Sequence, residues 1–201
     1  MKLIAQIFSV LFHPLLAPIF LVLYMLYGDT PWSFLPSPYK TATITSIGLG
    51  LSVMPVTIIG ALIAIKVVKD VEMKSKSDRL IPVAMTCLSA WFEFYLTHSS
   101  MQMPVPMLRL VESFTLCTTA ATIITFFWKI SLHGICAGAM LVYICILGTM
   151  SQIDFGTPLV VIICISGILC WARLYLQSHT PMQVLVGFLV GVASTLASML
   201  F

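Results

Sequence analysis

Charge is what this sequence has least of. Asp and Glu together number seven and Lys and Arg ten in 201 residues, so only 8% of the side chains are charged. A water-facing surface takes roughly 25–35% charged residues, which excludes a soluble globular domain. Disorder is excluded as well, since disordered chains are poor in apolar residues, whereas this one is 60% hydrophobic with a mean hydropathy of +1.07. Metal-type cysteine spacing is also missing: Cys87, Cys117, Cys136, Cys145, Cys164 and Cys170 lie in apolar stretches with no CxxC or Cys/His pattern. They are expected to be small buried hydrophobes, neither disulfides nor metal ligands.

What is present is a succession of apolar runs, near 3–27, 41–65, 80–98, 105–128, 132–150, 157–172 and 181–201, free of charge except for Glu93 in the third and Arg109 and Glu112 in the fourth. A membrane-spanning helix takes about 20 apolar residues, so the chain is expected to be an all-α integral membrane protein, a bundle of six to seven transmembrane helices forming one domain over 1–201. A β-barrel is disfavoured because the runs are continuously apolar and do not alternate. The stretch from Met1 to Tyr27 is too long for a signal-peptide core and lacks a small-residue cleavage site, so it reads as the first span. Gly134/Gly138 and Gly187/Gly191 are spaced for close helix approach.

Seven spans place the N-terminus and the loops at 66–79, 129–131 and 173–180 on one side. That side carries Lys2, Lys66, Lys69, Lys74, Lys76, Arg79, Lys129 and Arg173, eight of the ten basic residues. The positive-inside rule makes this side cytoplasmic; an anion site built from three loops accounts for the same charges. Charged and imidazole groups at a membrane boundary are costly without a partner, so the converging Arg, Lys and His residues form a candidate site. Thr180-Pro181-Met182-Gln183 has the form of a capping box with Pro at the first helical position, which sets His179 just ahead of a helix N-terminus. There the helix dipole favours anions and a neutral, nucleophilic imidazole. Arg173 offers a planar fork of donors for phosphoryl oxygens. Ser131-Leu132-His133 opens the fifth span in the same way, with Ser131 as cap and His133 as candidate general acid.

These segments resemble the motifs of the type 2 phosphatidic acid phosphatase superfamily, the lipid phosphate phosphatase and haloperoxidase-like group. Arg173, His179, Gln183-Val184, Gly187 and Gly191 match the spacing of its third motif, Ser-Arg-x5-His-x3-Asp followed by Val and spaced glycines; Ser131-Leu132-His133 is similar to its second, Pro-Ser-Gly-His; and Arg79-Leu-Ile-Pro82 loosely resembles its first, Lys-x6-Arg-Pro. The resemblance covers the motif loops and the last three spans. It implies a hydrolase of phospholipid metabolism that removes phosphate from a lipid phosphate or pyrophosphate, with no cofactor or metal, and with the bilayer and its lipid as partners and no nucleic acid. His179 would be the nucleophile forming a phosphohistidine, His133 the general acid, and Arg79, Arg173 and Ser131 the phosphate clamp, with Lys74 or Lys76 as the first motif's lysine. The implied setting is a bacterial cytoplasmic (inner) membrane, with the site on the extracytoplasmic face.

The sequence departs from the family pattern at several places. Ala172 stands for the motif's Ser, Ile130 and Leu132 for Pro and Gly, Glu72 falls where the first motif's Lys belongs, and Gln183 replaces the Asp. A carboxylate at 183 would orient the imidazole and stabilise its cation, whereas an amide can only accept the ring N–H. Glu93 or Asp78 could supply the missing charge. A bound or transported lipid phosphate without turnover is therefore the alternative expectation, and an intramembrane prenyltransferase, suggested by Asp70, Glu72 and Asp78, is the third. Bland roles are also open: Lys74 and Lys76 as a charge run facing headgroups, Gln183 as a cap, Glu93 as a pairing residue, His13-Pro14 as a kink and His98 as a span end.

Overall fold

The computed structural model describes residues 1–68, 76–100, 102–151 and 155–200, and of residues 76, 77 and 100 the backbone alone. Lys74, Asp70 and Glu72 thus lie outside the described residues, as does the Lys76 side chain. The described chain is all helix and connecting turn: α1 (Lys2–Leu11), α2 (Ala17–Tyr27), α3 (Ser37–Gly48), α4 (Met54–Ala64), α5 (Lys76–Ser100), α6 (Val105–Phe127), α7 (Leu132–Ser151), α8 (Gly156–Tyr175) and α9 (Pro181–Leu200). Among the described residues seven helical stretches are long and apolar enough to cross a membrane, α1 joining α2 and α3 joining α4. The chain is an integral membrane bundle.

Two spans are interrupted. Proline disfavours helical backbone at the preceding residue, and His13, before Pro14, is extended at φ −64°, ψ 138°. A 3₁₀ turn over Pro14–Leu16 then leads into α2, so the expected kink is a full break. In the second span a π-helical segment, Leu49–Val53, separates α3 from α4. Irregular backbone at membrane depth needs neighbours to satisfy it. Here hydroxyls do so: Ser52 Oγ donates to the Leu15 carbonyl at 2.5 Å, and Ser89 Oγ donates to the Gly50 carbonyl at 2.6 Å.

The most closely packed pair, α7 and α9, is not adjacent in sequence. α9 packs chiefly on α7 and α6, α8 lies against α7 and α1, and α5 pairs with α6. The α7–α9 crossing rests on the two glycine pairs. A Cβ on Gly134 would lie 2.7 Å from the Val184 carbonyl oxygen and one on Gly187 2.6 Å from that of Ser131, while Cβ atoms on Gly138 and Gly191 would overlap the carbonyls of Phe188 and Ile135. Only glycine allows backbones this close, as the spacing predicts. The N-terminal ends of α7 and α9 are thereby locked side by side. The main core, around Met25, Leu51, Met107, Tyr143 and Leu147, lies deeper, and a smaller cluster of Val83, Cys117, Ala121, Ile130 and Ile135 packs nearby. All six cysteines are free; only Cys117 and Cys136 are buried, while Cys145 and Cys164 are exposed, against the expectation that all six are buried.

Candidate functional site

The basic ends of α5, α7, α8 and α9 converge on His179. Its position follows from how α8 stops and α9 starts. The α8 C-terminus closes through Ser178 N–H donating to the Arg173 carbonyl (3.2 Å) and Gln177 N–H to that of Leu174 (3.0 Å), with Gln177 at φ 51°. This is the paired bonding of a Schellman cap, with glutamine in the left-handed position that glycine usually fills. The capping box forms as its sequence predicts: Gln183 N–H donates to Thr180 Oγ1 at 3.3 Å and Thr180 N–H to Gln183 Oε1 at 3.2 Å. His179 is held between these two devices.

The hydrogen bonds fix the protonation of its ring. Because Gln183 Oε1 accepts from a backbone N–H, it is the oxygen of the amide, so His179 Nδ1, 3.0 Å away, must carry the proton and donate. Nε2 then presents a lone pair, and Nη1 of Arg79 lies 3.3 Å from it and 3.4 Å from the Ile130 carbonyl. His179 is only 7% exposed. Burial first, then the positive charge of Arg79, lowers its pKa to about 3, against the opposing pull of the Gln183 hydrogen bond, with Arg173 and Lys129 adding smaller downward effects. Burial, then Arg79 and Arg173, also lowers the pKa of Lys129.

A cavity of about 940 Å³ opens beside this group. Arg79, Lys129, Arg173, His133 and His179 line it toward the basic end, while Leu21, Leu110, Met140 and Tyr143 continue it into the apolar interior. A smaller recess of about 480 Å³ is also lined by His179, with Lys129, Thr180 and Gln183. The combination of three cations, an imidazole lone pair and an apolar extension suits an oxyanion attached to a hydrocarbon chain.

His133 is buried one position into α7. Its Nε2 lies 3.0 Å from the Ser9 carbonyl, so that nitrogen is the donor, and its ring stands edge-on to His13 at 5.6 Å between centroids. Ser131 is fully buried, and its hydroxyl accepts from Gly134 N–H at 3.2 Å as the cap of α7, while its own N–H donates to the Gln183 carbonyl at 3.3 Å. It is not among the residues lining either recess. Six expected site residues are therefore placed together, with Ser131 behind the wall rather than in it.

Glu93 does not join them. It is 2% exposed, accepts from Ser46 Oγ at 2.6 Å and fills space left by Gly50 in the π segment, which is the pairing role inside the bundle. His98 ends its span in a cluster of its own, bonding Glu112 at 2.9 Å beside the Arg109–Glu112 pair at 2.7 Å. His13 has more to do than mark a kink: it caps the 3₁₀ turn by accepting from Leu15 N–H at 3.3 Å and borders the cavity. No group of three or more His, Cys, Asp or Glu able to hold a metal ion occurs among the described residues. Compared with protein-family models, with curated proteins and with solved structures, the chain matches none.

Proposed function

We propose that this protein is a metal-independent phosphohydrolase of the type 2 phosphatidic acid phosphatase kind, acting on a membrane lipid phosphate or pyrophosphate of the phosphatidic acid, phosphatidylglycerol phosphate or polyprenyl phosphate class, in a bacterial inner membrane. The observation that carries this reading is the His179 ring itself, with Nδ1–H fixed by Gln183 and the Nε2 lone pair facing Arg79 beside a cavity that runs from cations into an apolar interior.

In the proposed reaction, Arg79, Arg173 and Lys129 neutralise the phosphoryl oxygens. Nε2 of His179 attacks phosphorus and the bond to the leaving alkoxide breaks. His133, which holds its Nε2 proton against the Ser9 carbonyl, takes up a second proton with the anionic substrate as an imidazolium, then turns to give its Nε2 proton to the leaving oxygen and becomes neutral. Water then attacks the phosphohistidine, losing a proton to His133, and inorganic phosphate leaves with His179 restored. The depressed pKa of His179 keeps the nucleophile unprotonated at neutral pH.

One observation favours a second reading, binding or transport without turnover. Gln183 Oε1 is a neutral acceptor shared between a cap and the ring, so position 183 supplies no carboxylate to offset charge on the imidazole. Phosphate release from a panel of lipid phosphates by purified protein in EDTA separates the cases. Release unaffected by EDTA is the expected result. Loss in EDTA restored by magnesium would indicate a metal-dependent class such as a prenyltransferase, and binding with no release would favour the carrier.

A further inference from the structure

Two helices measure the depth of the cavity that begins at the cations. On α7 its wall is made by His133, Cys136, Met140 and Tyr143, whose spacing puts them on one face of that helix. Ten residues at helical rise set Tyr143 about 15 Å along the axis from His133. On α6 the wall runs from Ala121 to Leu110, a length of about 16 Å. Both values are roughly half of a hydrocarbon layer about 30 Å thick, so the cavity reaches as deep as a lipid chain standing in one leaflet.

At that depth the cavity has a floor. Leu21 of α2, Leu110 of α6 and Tyr143 of α7 are the last wall residues of their helices in this direction, and one turn further on Met25, Met107 and Leu147 are buried in the main core. Tyr143 ties the three helices together: its hydroxyl donates to the Pro106 carbonyl at 2.6 Å, next to Met107, and lies 3.4 Å from Met25 Sδ. Above the floor the hydroxyls of the wall are already engaged. Ser113 pairs with Thr195 at 2.7 Å, and Thr86 and Thr118 donate to the carbonyls of Pro82 and Phe114 at 2.9 and 3.0 Å. Such a wall suits hydrocarbon, while Arg79, Arg173 and His179 line the basic end.

We propose that Tyr143 is a specificity-determining residue, the floor of a sleeve that measures the hydrocarbon chain of the substrate and fits a saturated, unbranched chain of about twelve carbons. With the phosphoryl group at His179, as in the hydrolase reading on which this rests, the first carbons lie near the level of His133. An all-trans chain with bonds near 1.5 Å and angles near 111° advances about 1.25 Å per carbon, so about twelve carbons fill the 15 Å. Moving such a chain from the bilayer into the sleeve exchanges one apolar setting for another and gains little. Selection therefore comes from misfit: shorter chains are tolerated, and a longer one must bend or press on Tyr143 against a packed core.

The test uses the full chain in detergent with EDTA and a series of esters, octyl, decyl, dodecyl, tetradecyl and hexadecyl phosphate, compared at equal mole fraction in the micelle. Phosphate release gives kcat/KM and calorimetric titration gives Kd for each ester. The wild type is expected to handle octyl to dodecyl phosphate within about threefold of one another and to lose about tenfold or more in both quantities at hexadecyl phosphate. Met140 stands one turn above the floor, so Met140→Trp should fill the sleeve there and move the limit to chains about four carbons shorter. Tyr143→Ala should move it the other way and admit hexadecyl phosphate; where that variant fails to fold, Met140→Trp decides alone. Tyr175→Phe, outside the cavity, should keep the wild-type limit. Equal binding of all five esters by the wild type, or a limit that stays put in the folded variants, overturns the sleeve. If the esters bind with a limit that shifts in Met140→Trp but no phosphate is released, the sleeve stands and the hydrolase reading falls. Hydrolysis with no limit removes the sleeve and leaves the hydrolase reading standing, and if no ester binds, both fall.

Discussion

Gln183 Oε1 accepts the Nδ1–H of His179 at 3.0 Å. The same oxygen takes the Thr180 amide, so one neutral side chain both caps α9 and fixes the tautomer of the ring. Exchanging a carboxylate for an amide in a serine-protease triad lowers the rate by about 10⁴, and the reverse exchange here should help. Gln183→Glu keeps the reach and adds the charge, and is expected to raise kcat by about tenfold or more. Gln183→Ala should lower it. Steady-state phosphate release decides, and unchanged kcat in both variants would reduce Gln183 to a cap.

The two buried histidines should fail differently when removed. His179→Ala is expected to abolish turnover and any acid-labile label from a radioactive lipid phosphate. His133→Ala, lacking only the proton donor, should slow hydrolysis by about 10²–10⁴ while still being labelled by substrates with good leaving groups. Equal partial losses with no label in the wild type would exclude the covalent route.

The pH dependence follows from how His179 is held. Its pKa of about 3 lies below the ordinary 6.5, from burial first and Arg79 second, so the imidazole stays neutral and, in the proposed reaction, kcat/KM should show no acidic limb from this group between pH 7 and about 5. Replacing Arg79 with Gln removes the second cause and should move that limb to higher pH, whatever it does to the rate. Stability has the same sign. Protons bind the unfolded chain's imidazole below about 6.5 and the folded one only near 3, so this residue's contribution to stability falls as pH drops through that window. Thermal unfolding from pH 7 to 4 should show a steeper decline for the wild type than for His179→Gln.

The glycine contacts give a packing prediction. Gly138→Ala and Gly191→Ala each place a methyl group on a carbonyl of the facing helix and should lower stability by about 1–3 kcal/mol, the usual cost of overpacking. Gly60→Ala, with nothing within 4 Å of the added carbon, serves as the comparison and should be near neutral. Thermal unfolding in detergent measures both, and equal tolerance at all three positions would mean the helices separate more easily than their contacts imply.

The spans and the cap of α9 were legible because they depend on local rules. Continuous apolar runs predict helices, and Thr180-Pro181 with Gln183 three residues on predicts where α9 begins. The glycine pairs likewise mark α7 and α9 as helices able to approach another closely, but only the structure shows that they meet each other. The partner of Glu93 was not legible, because Ser46 lies 47 residues away and faces it only through a π segment that no periodicity marks. Ser131 illustrates another limit: cap and phosphate ligand demand the same residue type at the same place, and only the hydroxyl's direction tells them apart.

The α7–α9 contact also sets an order of assembly. The seventh span must find the fifth across the sixth, and His179 reaches Arg79 only after α9 has displaced lipid from the glycine face of α7. Until then the bases of α5, α7 and α8 stand at the membrane boundary without the helix end that organises them. During synthesis the setting of His179 is therefore among the last features to form, and a chain halted after α8 would hold most of the bundle without it.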